Sequence, residues 1–342
     1  MLLLFYIDDL IICCPPASAD KIVSALRQRY PIKDQGQLSW FLSCKIEYTM
    51  GTSLRLSQQA YAESIVARAG LSKCKPVHSP MSAVLPSQEE EEISPEEHDL
   101  LREHGVRELY PSLLGAMWYL AICSRPDIVY CCQSLSRFAS KPRWKHWKAL
   151  KRLLRYLRGT TNMALEFKKG AQDMQLIGYS DADWAGDHAT RKSTTGYCFS
   201  LGGSLISWKT SAQGCVALST AEAELVALTK TTQHALWLQR LATDLGFNVA
   251  PIAIYEDNQA TIAIVKSDPK FNDRTKHIDI KYFFVRDKIG SGDIEVTFIG
   301  TEHQLADILT KALIGAKFSD LRAKLGLVFM RNAQLREHAV VL

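Results

Sequence analysis

The sequence lacks most marks of an extracellular, membrane-bound or metal-stapled protein. Its nine cysteines, at positions 13, 14, 44, 74, 123, 131, 132, 198 and 215, are odd in number, partly vicinal and never spaced C-x-x-C. That pattern excludes a disulfide framework, a zinc knuckle and a thioredoxin-type pair. No internal repeat is present, and no apolar run reaches the roughly 18 residues that a bilayer span requires. The N-terminal run MLLLFYIDDLIICC has no basic flank and is split by Asp8 and Asp9, so it reads as neither a targeting segment nor an anchor. A reducing compartment, cytoplasmic or nuclear, is expected, with no secretion and no membrane partner. Neither sign of charge dominates: 41 Lys and Arg stand against 36 Asp and Glu, a net +5. Such a balance permits an anionic partner without demanding one. The 47% hydrophobic and 23% charged content excludes disorder, and 342 residues suffice for two or three domains.

Residues 2–12 read as two apolar strands about a short acidic turn. Residues 18–30 read as a capped helix, 38–48 and 53–57 as strands, and 58–70 as a helix. Between Pro76 and Leu101 lie Glu89 to Glu92, Glu96, Glu97 and Asp99, three prolines and no Lys or Arg, which predicts a solvated acidic linker over about 83–99. Residues 110–168 read as mostly helical. Within them KPRWKHWKALKRLLRYLR (141–158) carries Lys141, Arg143, Lys145, Lys148, Lys151, Arg152, Arg155 and Arg158 with no acid. Trp147, Leu150, Leu153, Leu154 and Leu157 recur there at helical spacing, so one face can pack while the other presents cations. From Gln175 the pattern turns strand-rich. Strands end at Asp181, cover 195–201 and 204–208 around Gly202-Gly203, end at Asp257, and cover 293–299. Helices cover 219–245, start at 258, cover 277–290, and start again at 303. The order βββαβααβα predicts an α/β domain of about 140 residues.

Two of those strands end in acids, Asp181 (with Asp183 next) and Asp257, and strand ends at one sheet edge are where α/β folds build sites. The long helix brings Glu222 and Glu224 in its first turns, and Asp307 sits in an otherwise apolar QLADIL stretch. Carboxylates gathered in one place repel and raise one another's pKa, a penalty that divalent cations reverse. Mg²⁺ prefers oxygen ligands and retains room for phosphate oxygens. Two such ions about 3.5–4 Å apart can activate a water and stabilise the leaving oxygen of a phosphodiester.

The segments GYSDADWAGD, RKSTTGY, ISWKTSAQGCVALSTAEAEL, WLQRL, YEDNQATI, RTKHIDIKYFFVRD and HQLADILTK resemble the ribonuclease H domain of copia-type LTR retrotransposon Pol polyproteins. FYIDDLI, LSWFLSCKIE, LRLSQQAY, CKPVHSPM, YPSLLGAMWYLAICSRPDI and LSRFASKP with KRLLRYLRGT agree, carrying the resemblance to about residue 315. It implies a ribonuclease H-like mixed five-stranded sheet with flanking helices, preceded by a truncated reverse-transcriptase palm and thumb and a helical connection. The divisions it suggests are 1–82 (palm end and thumb), 83–108 (linker), 109–170 (basic connection), 171–315 (ribonuclease H-like) and 316–342 (tail). It implies two-metal cleavage of the RNA strand of RNA–DNA hybrids with Mg²⁺, or Mn²⁺ in its place, and no small-molecule cofactor. Asp181, Glu224, Asp257 and Asp307 are the implied ligands. Helical periodicity alone leaves Glu222 and Glu224 open; the AEAEL register selects Glu224. Tyr6-Ile7-Asp8-Asp9 resembles the Y-x-D-D turn of reverse transcriptases, with Asp8 and Asp9 as metal-binding acids of a polymerase remnant. The preceding part of Pol is an implied partner, without which no DNA synthesis is expected.

For the hybrid and the nucleic-acid backbone generally, Lys145, Lys148, Lys151, Arg152, Arg155, Arg191 and Lys192 are the candidate phosphate contacts. Trp144 and Trp147 suit packing better than base stacking. His277 in the RTKH stretch suits a structural role, and His303 stays outside the site. Pro111 stands where the family pattern has a basic residue, and DHATRKS lacks the family's usual acidic residue near Thr190. A catalytically silent nucleic-acid-binding remnant is the alternative function.

Overall fold

The structure, a computed structural model, describes residues 1–82, 93–169, 174–267 and 276–330. The acidic run Glu89–Glu92, the Arg274-Thr275 pair, the His277 side chain and the tail beyond 330 lie outside the described residues. The chain opens with a hairpin of Leu2–Tyr6 (β1) and Asp9–Cys13 (β2), turning at Ile7-Asp8, where Ile7 adopts φ 52°. Helix α1 (Pro16–Arg27) begins on a proline, whose missing N–H would lack a helical partner there anyway. Strands Trp40–Phe41 (β3), Cys44–Thr49 (β4) and Ser53–Ser57 (β5) follow, then helix Gln59–Arg68 (α2).

Part of the stretch expected as solvated linker is helical. Pro95–Glu103 (α3) starts at Ser94, whose hydroxyl accepts from the Glu97 N–H at 3.2 Å. Glu97 in turn pairs with Arg143 at 2.8 Å. An acidic first turn favours helix, and a basic partner on a distant helix gives the charge a docking point. Helices Val106–Cys123 (α4), Val129–Ser136 (α5) and Trp144–Gly159 (α6) complete the connection. The predicted helicity of 110–168 stops at 159: Met163–Lys168 is a strand (β6) paired antiparallel with β5. MALEFK is too short to show helical periodicity, and the open edge of β5 recruits it.

The second half builds Leu176–Asp183 (β7), Thr194–Leu201 (β8), Ser204–Ala212 (β9), helix Thr220–Asp244 (α7), Ile252–Glu256 (β10), helices Gln259–Lys266 (α8) and Lys276–Gly290 (α9), and Ile294–Phe298 (β11). The sheet order is β11-β10-β7-β8-β9, with β10 parallel to both β7 and β11, and β8 antiparallel to β7 and β9. This is the mixed five-stranded ribonuclease H-like sheet, with β7 at its centre. In place of the helix expected from 303 stands a five-residue 3₁₀ turn, Leu305–Leu309. Helix Gly315–Lys324 (α10) and strand Leu327–Phe329 (β12) follow, and β12 pairs with β6. The first part of the expected tail is therefore structural, closing a second sheet of order β12-β6-β5-β4-β3.

Neighbouring residues of β8 enter different cores, as strand alternation requires. Phe199 packs with Leu225, Leu228, Ile252, Ile254 and Val285 between the central sheet and α7 and α9. Cys198 joins Leu205, Ile308 and Leu309 against the connection residues Met117, Leu135 and Leu154. The connection thus covers the other face of the ribonuclease H-like sheet. A buried polar network fastens it: Arg125 pairs with Asp127 at 2.8 Å, both 2% exposed, and donates to the Thr160 carbonyl at 2.8 Å. Tyr156 donates its hydroxyl to Asp127 at 2.5 Å and accepts from Arg322 of α10 at 3.0 Å. Replacing Asp127 by Ala leaves the Arg125 guanidinium buried without its carboxylate. Urea unfolding of that variant is expected to show a loss of about 3–5 kcal/mol.

Candidate active site

Asp181 lies near the end of the central strand, opposite Gly196 of β8. A Cβ on Gly196 would meet Thr310 Cγ2 at 2.5 Å and Leu309 Cβ at 2.9 Å. Only a residue without a side chain lets the 3₁₀ turn close over β8 here. That closure brings the Thr310 hydroxyl to Asp181 Oδ2, to which it donates a short hydrogen bond. Gln304 Nε2 donates to the Ser180 carbonyl at 2.8 Å, and Thr210 Oγ1 donates to the Leu309 carbonyl at 2.7 Å. Turn and strand end are therefore locked together, with Asp181 and Asp307 fully buried.

The first turn of α7 separates the two glutamates that periodicity leaves open. Ser219 caps the helix by accepting from the Glu222 N–H at 3.2 Å, and Glu222 Oε2 accepts from the Leu218 N–H at 2.6 Å. Glu222 is thus spent on the helix start, in the manner of a capping box. Glu224 faces Asp181 and Asp257. Asp257 follows β10 directly, ahead of the Asn258 cap of α8, whose Oδ1 accepts from the Thr261 N–H at 3.1 Å. Thr301 Oγ1 donates to Asp257 Oδ2 at 2.8 Å.

One carboxylate oxygen from each of Asp181, Glu224 and Asp257 lies within 4.8 Å of the other two. Among the described residues this is the one group of three or more acidic, His or Cys side chains able to share an ion. Glu224 Oε2 is buried with no hydrogen-bond partner, which fits a donor atom for a cation. Asp307, the fourth expected ligand, stands beside this trio, joined to it through Lys311. The Lys311 ammonium lies 3.1 Å from Asp181 Oδ1 and 2.5 Å from Asp307 Oδ1, and Lys317 lies 2.5 Å from Asp307 Oδ2.

The electrostatics follow from burial. Desolvation, opposed by Lys311 and reinforced by Asp307, pushes the Asp181 carboxyl up to about 6. Desolvation and the charges of Glu256, Asp181 and Asp257 push Glu224 up to about 11. Burial also drives Glu256 well above the ordinary carboxylate range. Burial raises Asp183 too, with Lys311 opposing. Burial pulls Lys311 down, but Asp181 and Asp307 outweigh it and hold the amine charged. Sequence reasoning passed over Glu256, which is fully buried with Oε2 unpartnered. The signal was present: Ile252, Ile254 and Glu256 alternate onto the buried face of β10.

No family model matches the chain. It is 36% identical over 331 residues to the retrovirus-related Pol polyprotein from transposon TNT 1-94 of Nicotiana tabacum, covering 96% of this chain and 24% of that protein. It is 30% identical over 231 residues to a transposon Ty5-1 protein of Saccharomyces cerevisiae, covering 67% of this chain and 72% of that one. The chain belongs to the copia-type retrotransposon Pol family. It spans about a quarter of the tobacco polyprotein's length. Solved structures similar to it include RNase H1 from Halobacterium salinarum (18% identity, 40% of this chain and 94% of that one, TM-score 0.31). Another is a foamy viral protease-reverse transcriptase in complex with double-stranded DNA (14% identity, 87% and 46%, TM-score 0.48).

Elsewhere in this copia-type chain, Asp8 and Asp9 sit exposed at the hairpin, Asp8 in the turn and Asp9 paired with Tyr6. No third carboxylate joins them among the described residues. The basic helix α6 divides its cations. Arg152 donates to Ser79 Oγ at 3.0 Å, Arg155 to the Lys75 carbonyl at 2.9 Å and Arg158 to the Ser72 carbonyl at 2.8 Å. These arginines grip the 72–79 segment. Lys148 is exposed over the Trp144 ring at 6.0 Å, and Lys151 lies over Trp147 at the same distance. Trp147 is buried and Trp144 half-buried, which fits packing. Arg191, exposed at φ 55°, and Lys192 occupy the β7–β8 loop, which Asp187 ties by accepting from the Thr190 hydroxyl at 2.7 Å and pairing with Arg137 at 2.9 Å.

Raised carboxyl pKa values mean that these carboxyls bind more protons in the folded chain than in the unfolded one above pH 4. Stability of the metal-free protein should therefore fall as pH rises, through about 6 for Asp181 and on toward 11 for Glu224. Thermal melts in chelator are expected to give a lower Tm at pH 8 than at pH 5. Added Mg²⁺ should raise Tm more at pH 8, where it replaces protons, and Glu224→Gln should flatten both responses.

Proposed function

We propose that this chain carries a divalent-metal-dependent ribonuclease H that hydrolyses the RNA strand of RNA–DNA hybrids. The carrying observation is the convergence of Asp181, Glu224 and Asp257 within 4.8 Å, with a buried carboxylate oxygen lacking any partner. Hard oxygen donors in that number suit Mg²⁺ or Mn²⁺. Bound divalent ions supply activation of a water and stabilisation of the leaving oxygen at the scissile phosphodiester.

The protein's own contribution is placement. Asp181, Glu224 and Asp257 would hold an ion, with Asp307 beside them. Thr310 and Gln304 fix the Asp181 strand end, Thr301 orients Asp257, and the Ser219–Glu222 cap fixes the turn that carries Glu224. Lys145, Lys148 and Lys151 of α6, and Arg191 and Lys192 of the β7–β8 loop, are the cations suited to the phosphate backbone. Arg152 and Arg155 have partners on the 72–79 segment. The Asp8–Asp9 hairpin matches the Y-x-D-D turn of a polymerase site.

Incubating the chain with a labelled RNA–DNA hybrid and Mg²⁺ or Mn²⁺ tests this. RNA-strand cleavage is expected, with the DNA strand intact. Asp181→Asn and Asp257→Asn should each remove several kcal/mol of transition-state stabilisation, about a thousandfold in rate at least. Folded protein that binds hybrid in a salt-dependent way but never cuts it, with either metal, refutes the nuclease and leaves the silent binding remnant. Arg191→Ala and Lys192→Ala should weaken hybrid binding. Each should flatten the plot of log affinity against log salt by about 0.7–0.9 per lost phosphate contact.

A further inference from the structure

We propose that the Lys311 ammonium is a tethered cation occupying the second cation position of this site, so that a second divalent ion binds only by displacing it. The inference rests on the metal reading above and concerns how the ions share the carboxylates. Lys311 Nζ bridges Asp181 Oδ1 at 3.1 Å and Asp307 Oδ1 at 2.5 Å. Asp181 is also one of the three acids able to share an ion with Glu224 and Asp257, and Asp307 lies across the Lys311 ammonium from it. Mg²⁺ needs its oxygen ligands at about 2.0–2.1 Å. An ammonium hydrogen-bonded to the same two oxygens fills that space.

The lysine is held in place from several sides. Its backbone N–H donates to the Asp307 carbonyl at 3.0 Å. The preceding residue, Thr310, is hydrogen-bonded to Asp181. Two-thirds of its side chain is shielded from solvent. Lys317 takes the other oxygen of Asp307 at 2.5 Å and donates to the Thr301 carbonyl at 3.4 Å. Both oxygens of Asp307 therefore face ammonium groups, while Glu224 Oε2 has no partner. The lack of positive charge is on the Glu224 side, since Asp181 itself touches Lys311. The two cation positions are inequivalent: both oxygens of Asp307 already face ammonium groups of the chain, whereas Glu224 Oε2 faces none.

Mn²⁺ titration of the full chain, followed by calorimetry and by the EPR signal of free Mn²⁺, tests this without reference to turnover. Wild type is expected to show one tight Mn²⁺ and a second at least tenfold weaker. Lys311→Met should tighten the second at least tenfold and leave the first within about threefold, whereas Lys311→Arg should keep the wild-type pattern. Two ions of equal affinity in the wild type, or superimposable isotherms for wild type and Lys311→Met, overturn the proposal. If Lys311→Met fails to fold, the wild-type and Lys311→Arg isotherms decide it, since one class of two equal sites is incompatible with a built-in competitor. Wild type that binds no Mn²⁺ overturns the metal reading as well. Loss of the tight ion in Asp257→Asn, with no gain in Lys311→Met, overturns the role of Lys311 alone.

Discussion

Everything at the centre of this molecule is arranged around the mutual repulsion of carboxylates in a place with little water. Asp181, Glu224, Glu256 and Asp307 are all buried, and Asp257 is within reach of them. Leaving all of them ionised with no counter-charge would be prohibitive. The fold meets this differently on its two flanks. Toward the 3₁₀ turn, Lys311 and Lys317 supply positive charge directly. Toward α7, burial and neighbouring carboxylates push Glu224 and Glu256 well above the ordinary carboxylate range, which favours their protonated forms. A site neutralised by its own lysines on one side and by exchangeable protons on the other is open to a cation from the second side. Burial and geometry decide this arrangement together: a surface carboxylate would ionise freely and leave no deficit for an ion to fill.

Such a cluster persists only if its backbone supports cannot drift, and those supports reach well beyond the domain that carries it. The 3₁₀ turn rests on Gly196 and Thr210 of the central sheet, while Ile308 and Leu309 belong to the core that includes the connection helices. Arg125, Asp127, Tyr156 and Arg322 link the turn between α4 and α5, α6 and α10 in one buried network. The second sheet then joins β3 to β5 from the first sixty residues with β6 and β12. The ribonuclease H-like sheet is packed against this body rather than strung after it. The basic helix α6 therefore serves two purposes at once, packing Trp147 and Leu150 inward while its arginines clasp the 72–79 segment.

What could be read from the residues alone tracks how local each signal is. The ends of β7 and β10 at acids, the Ser219 start of α7, the Gly202-Gly203 hairpin and the order of strands and helices all rest on neighbours in sequence, and each is found close to where it was expected. Strands β6 and β12 were not legible, because MALEFK and LVF become strands only by pairing with β5 and with each other. The helix α3 inside an acidic stretch depends on Arg143, more than forty residues away. The arginines of α6 looked like a free cationic face because their carbonyl acceptors lie about eighty residues upstream. Glu256 was hidden by its neighbour: in YED the strand-end position draws attention to Asp257, while alternation turns Glu256 to the buried face.

The same distinction explains Asp307 and its lysines. In QLADILTK the Asp307–Lys311 spacing reads as an ordinary i, i+4 helix pair, worth about 0.3–0.5 kcal/mol when exposed. The chain instead makes a short 3₁₀ turn here, and Asp307 has no exposed surface. The turn is pressed against β8 because Gly196 offers no side chain, and Lys311 is thereby carried to Asp181, 130 residues away in sequence. A pair that would be marginal on a helix surface becomes part of the charge balance of the site. The difference arises from one missing Cβ and one tight turn, neither of which alters the spacing of charges along the sequence.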